Sequence, residues 1–217
     1  MKKFVLIFLS VVMVLSLAAC GTNGSKNNES ATITATPAEI EQKIADAIGK
    51  DNYLCDTEAD KNYLQNTLGL DLSEVDSYAA KLNSISSVNP DTVIILKVKG
   101  SYTDEAVKAL NTSYAQMVDY IRQYPFGTAK VLNARIYQCG DYVMYIIAGA
   151  SYDGEDSKAE TKLAVSEYAK IDEAVKSVFG TLPENKAVVP EDSGTGGNEG
   201  GLLTEDEGSN MPLLGGN

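Results

Sequence analysis

The sequence has no histidine. That removes the side chain most often used as a general base near neutral pH, the usual activator of a nucleophilic Ser or Cys, and the commonest ligand of a transition metal. Cysteine is nearly absent too, with three in 217 residues. Two or three thiolates without an imidazole fall short of a four-ligand zinc site. Basic residues are outnumbered, 18 against 30 acids for a net charge of −12, and they form no cluster. A chain so acidic is repelled by nucleic acid and by anionic lipid, so no nucleic-acid partner is expected. Beyond the first 20 residues no segment is long and apolar enough to span a bilayer. No catalytic residue, metal or cofactor is indicated.

What is present begins at the N-terminus. Lys2 and Lys3 precede an apolar run, Phe4–Leu17, broken only by Ser10 and Ser16, and Leu17-Ala18-Ala19-Cys20 closes it. A charged start, a short apolar stretch and small residues form the pattern of a cleaved export signal. A cysteine directly after Leu-Ala-Ala is what lipoprotein processing reads: the Cys20 thiol takes a diacylglycerol, the chain is cut before it, and fatty acyl chains hold the product to the membrane. Phe4–Ala19 is slightly short for a spanning helix, which needs about 20 apolar residues, and no basic stop-transfer cluster follows. Taking Lys2 and Lys3 from the 18 bases leaves 16 against 30 acids, a net −14 for the mature chain. Outside the cytoplasm Cys55 and Cys139 could form a disulfide, or they could be two small buried hydrophobes.

The expected organisation is a signal peptide over 1–19, a flexible tether over 20–35, one domain over 36–187 and a disordered acidic, Gly-rich tail over 188–217. The tail holds six acids, no bases and one apolar patch, Met211-Pro212-Leu213-Leu214. Within the domain, Thr36-Pro37-Ala38-Glu39 reads as a capping box with proline at the first helical position. Ile40, Ile44 and Ile48 continue it at four-residue spacing, and Gly49 ends it. Thr57 and Asp60 could cap a short helix carrying Tyr63, Leu64 and Leu68. Leu72–Asn83 fits either period, whereas Val93–Val98 is β-branched and reads as a buried strand. Thr103 is expected to cap a long helix with the stripe Val107, Leu110, Tyr114, Met117, Val118 and Ile121, ended by Pro125. Val131–Gln138 and Tyr142–Ala148 are expected to pair across a Gly140-Asp141 turn. Ser151–Ser157 is an acidic loop without the ligand spacing of an EF-hand. A last helix spans about Ala159–Phe179.

Four stretches together resemble clostridial-type lipoproteins carrying the domain of unknown function 4358. They are Leu-Ala-Ala-Cys at the signal, Leu68-Gly69-Leu70-Asp71 through Tyr78, Asn89-Pro90-Asp91-Thr92-Val93-Ile94-Ile95-Leu96-Lys97 before the long helix, and Cys139-Gly140-Asp141-Tyr142-Val143-Met144-Tyr145-Ile146-Ile147. The resemblance covers about Ile40–Val178. It implies an extracytoplasmic lipoprotein of a low-GC Gram-positive bacterium, favours a strand over Val75–Asn83, and supplies no catalytic residues.

The expected fold is α+β: a four-stranded antiparallel sheet from two hairpins, Val75–Lys99 and Ala129–Ala148, with the helices packed on one face. The expected role is that of a non-catalytic binding or scaffolding module on the extracytoplasmic face of the cell membrane, anchored through Cys20, with an envelope protein as its possible partner. The alternatives are a small-ligand-binding accessory of a transporter and a carboxylate-based enzyme.

Overall fold

The computed structural model describes residues 33–85 and 89–191. The expected signal peptide, Cys20 and most of the tether and tail lie outside these residues.

Five strands form one antiparallel sheet. They are β1 (Thr57–Glu58), β2 (Val75–Leu82), β3 (Thr92–Val98), β4 (Arg135–Cys139) and β5 (Tyr142–Ile147), in the order β1-β2-β3-β5-β4. The mixed α+β class and the antiparallel sheet agree with the sequence; the number of strands does not. The fifth, β1, is two residues long and pairs Thr57 with Leu82 and Glu58 with Lys81. So short a strand leaves no apolar alternation to read.

The helices are α1 (Pro37–Ile48), α2 (Thr103–Gln123), α3 (Thr128–Leu132) and α4 (Ser157–Phe179). They cover both faces of the sheet, which corrects the one-sided arrangement. Successive strand side chains point to opposite faces. Ile94, Leu96 and Val98 of β3, with Val143, Tyr145 and Ile147 of β5, meet Leu110, Tyr114 and Val118 of α2. Val93 and Ile95, with Tyr142, Met144 and Ile146, meet Ile40 and Ile44 of α1 and Tyr168, Ile171 and Val175 of α4. Every residue of β5 is buried. An apolar run without polar alternation requires cover on both sides, as central strands between two layers do.

The capping box at α1 is formed as expected. The Thr36 hydroxyl accepts from the Glu39 amide at 3.2 Å, and the Glu39 carboxylate accepts from the Thr36 amide at 2.7 Å. The Thr36 amide and, at 2.9 Å, the Thr36 hydroxyl both donate to Glu39 Oε2, and these two bonds hold the Glu39 carboxyl below the usual carboxylate range. Replacing Thr36 by Ala should lower stability by about 1 kcal/mol, read from the denaturant midpoint. A shift of zero would mean that the cap contributes nothing. Asp60 caps the next turn by accepting from the Tyr63 amide at 2.7 Å, while Thr57 is part of β1.

The second hairpin starts later than the pattern suggests. Residues 128–132 wind into α3, and β4 begins only at Arg135. The carbonyls that a strand would have paired are taken by tyrosines from both helix layers: Tyr168 donates to Lys130 O at 2.9 Å and Tyr114 to Val131 O at 3.0 Å. The two-residue turn is as expected, with Cys139 opposite Tyr142 and Gly140 at φ 58°.

After α4 the chain turns back and closes the outer edge of β4. Lys186 donates its amide to Ile136 O at 2.7 Å, and the Asn185 side chain accepts from Ile136 N at 2.9 Å and donates to Ala134 O at 3.0 Å. The strap continues onto α2, where Asn111 accepts from Val188 N at 2.8 Å and Arg122 donates to Pro190 O at 2.7 Å. An exposed strand edge invites pairing with other chains, and this one is covered by the protein itself.

Candidate functional site

Four loops and helix starts converge at one end of the sheet. Asn89-Pro90 leads into β3, Pro125–Thr128 joins α2 to α3, Ser151–Gly154 joins β5 to α4, and Glu160 lies on the first turn of α4. Between them is an open cleft of about 420 Å³, with Phe126 and Tyr152 on its walls and Lys130, Asp153 and Glu160 as its charged groups. Gly127, at φ 62°, lets the chain double back after Pro125 against the Pro90 ring. The Ala129 amide donates to Glu160 Oε1 at 3.1 Å, which ties α3 to α4.

Beneath the cleft lies a buried ion pair. Lys130 Nζ donates to Asp91 Oδ1 at 2.6 Å, with side-chain exposures of 6% and 0%. Asp91 Oδ2 is buried and has no hydrogen-bond partner. Burial pushes the Asp91 carboxyl up to about 6, against the downward pull of the Lys130 ammonium and the Gly149 amide. The pair joins the start of β3 to α3, across 39 residues of sequence. Gly149 is the other constrained point. Its φ is 126°, and a Cβ there would stand 2.8 Å from the Cβ of Glu167, a residue of α4 that is 4% exposed and accepts from the Ala150 amide at 3.3 Å.

Cys55 and Cys139 do not meet, which corrects the possible bridge between them. Cys55 is a free, buried thiol. It precedes β1, at the end of the sheet where Leu82 pairs with Thr92. Cys139 pairs with Tyr142, which pairs with Lys97 at the other end of β3. Five residues of strand separate these ends by about 17 Å, and a disulfide needs Cα atoms within about 7 Å. Burial raises the Cys55 thiol well above its ordinary value, and the Asp91 carboxylate adds to the shift. A thiol so shifted is not a nucleophile near neutral pH. Iodoacetamide at pH 8 should leave Cys55 unmodified in the folded chain and alkylate it in urea without any reductant. Rapid labelling of the folded chain, or protection that persists in urea until reductant is added, would contradict this placement.

Asp91 and Lys130 were not singled out by the sequence. Asp91 stands inside Asn89-Pro90-Asp91-Thr92, a stretch that reads as the entry to a strand, and Lys130 has no local signature. Among the described residues no three Cys, Asp or Glu gather to hold a metal, and Asp91 faces an ammonium rather than a second carboxylate. The acidic loop at 151–157 contributes Asp153 to the cleft wall.

The fold is thus a three-layer α+β domain with an antiparallel sheet between helices and an open cleft at one end. Residues 50–148 match a family described as Domain of unknown function (DUF4358). That span runs from the end of α1 to the end of β5, so it is narrower than the Ile40–Val178 of the resemblance. It contains Asp91 and Lys130 but leaves out α1 and α4, the helices that cover one whole face. No curated protein and no solved structure matches the chain.

Proposed function

We propose that the protein is a lipoprotein anchored through Cys20 on the extracytoplasmic face of the cell membrane, and that its domain is a non-catalytic binding or scaffolding module of the envelope. The observation that carries this reading is Leu17-Ala18-Ala19-Cys20 at the end of a short apolar run behind two lysines. The missing histidine supports a role without catalysis, as do the shifted, buried Cys55 and an Asp91 whose partner is an ammonium. The resemblance to clostridial-type lipoproteins agrees with a Gram-positive envelope. No helix among the described residues is long and apolar enough to cross a membrane.

Expression in a bacterium fed a labelled fatty acid tests the anchor. The wild-type chain should carry the label and sediment with membranes, and Cys20→Ala should lose both. An unlabelled wild-type chain in the cytosolic fraction would contradict the reading. Crosslinking in intact cells tests the binding role, with capture of an envelope component as the expected result.

A second reading, a small-ligand-binding accessory of a transporter, is favoured by the cleft. Its volume of about 420 Å³ falls within the roughly 300–1,000 Å³ of small-molecule sites.

A further inference from the structure

We propose that the Asp91–Lys130 pair is a proton-operated switch of the cleft: when Asp91 takes a proton, the Lys130 ammonium leaves it for Glu160 and places a positive charge at the cleft wall. The geometry supplies each part. The pair is closed at 2.6 Å and almost wholly buried; Lys130 holds Oδ1, Oδ2 accepts no hydrogen bond, and the Gly149 amide is the one other dipole that favours the charged carboxylate. A buried carboxylate so poorly satisfied gives up its charge early on acidification, and burial places this one near 6. Once it is neutral, the Coulomb attraction that held a lysine in the interior is gone. Lys130 already lines the cleft together with Glu160, and Glu160 is bonded to the amide of the preceding residue, Ala129.

The surrounding groups fit a side-chain exchange rather than movement of a helix. Tyr168 of α4 holds the Lys130 carbonyl, and burial raises both the Tyr168 hydroxyl and the Cys55 thiol, so each stays neutral through this range. On the α1 side the Glu41 carboxylate accepts from Tyr53. Glu167 is engaged with Ala150 and Lys170, and Asp153 lines the cleft together with Glu160. The consequence is a cleft that carries uncompensated acid, Asp153 and Glu160, while the pair is ionised, and gains a cation when Asp91 is neutral. A cationic ligand would then be held near neutral pH and released in acid. The switch is independent of the lipid anchor.

The test is a carbon-13 NMR titration of the full chain in detergent between about pH 4 and pH 8. The Asp91 carboxyl should inflect near pH 6, and a Lys130–Glu160 proximity signal should grow in with the same midpoint as the pH falls. Asp91→Asn should show that signal at every pH. Glu160→Gln should lower the Asp91 midpoint and lose the proximity signal, because the carboxylate that receives Lys130 favours the protonated Asp91. If Asp91→Asn does not fold, the wild-type titration decides. An Asp91 midpoint below about 4.5, or a Lys130 that stays on the Asp91 side at pH 5, would overturn the switch.

Discussion

Replacing Lys130 by Met should destabilise the domain by about 3–5 kcal/mol at pH 8, because the change leaves a buried carboxylate with no counter-charge. The Asp91 side chain is fully buried and its other oxygen accepts no hydrogen bond, so only the Gly149 amide is left to offset the lost ammonium. Met fills most of the volume of the lysine stem, so little of the loss comes from a cavity. The loss should depend on pH, with a sign that follows from Asp91. Its folded value of about 6 lies above the ordinary value of about 3.9. The stability this group contributes is therefore fully present below the ordinary value and is lost as pH rises through about 6. In the variant the carboxyl rises further without Lys130, so at pH 5 both chains hold it neutral. The difference should shrink there to about 1 kcal/mol or less, the worth of an ion pair with Glu160 at the cleft wall. Urea unfolding at the two pH values measures it. Equal losses at both would mean that Asp91 stays ionised throughout.

Gly149→Ala is the second large effect. At φ 126° the backbone sits where side chains rarely go, and the new Cβ would meet the Glu167 Cβ at 2.8 Å. The strained backbone costs about 1–3 kcal/mol and the overpacking a similar amount, for a loss of about 3 kcal/mol or more. Shortening Glu167 to Ala in the same chain should not rescue it, since the contact is with a Cβ that alanine retains. Thermal unfolding reads the result. A single variant within about 0.5 kcal/mol of wild type, or full rescue by Glu167→Ala, would show that the loop after β5 is looser than described.

Much of the fold is legible because local chemistry decides it. Thr36 through Glu39 can hardly be other than a helix start, and the Gly140-Asp141 turn sets the β4–β5 register. The burial of α1, α2 and α4 follows their apolar spacing. What escapes the sequence is decided at a distance. Val131 has the side chain of a strand residue, yet α3 forms because Tyr114 and Tyr168, from helices on opposite sides of the sheet, take its carbonyls. The burial of both sheet faces was present in the unbroken apolar runs of β3 and β5, but alternation alone could not say which helix covers which face. The strap is bound by Asn185 and Asn111, polar residues that look like loop and helix surface until their partners are known. The site is the extreme case. Asp91 and Lys130 are two ordinary charged residues until the fold brings them to 2.6 Å and removes the water.

The functional reading rests on the thiol of Cys20, and intact-mass spectrometry of the protein extracted from native membranes tests it most directly. The account predicts a chain that begins at Cys20 and carries the added mass of a diacylglycerol, with Cys55 as a free thiol. A chain that retains Met1–Ala19, or one cut there with an unmodified Cys20, would contradict it.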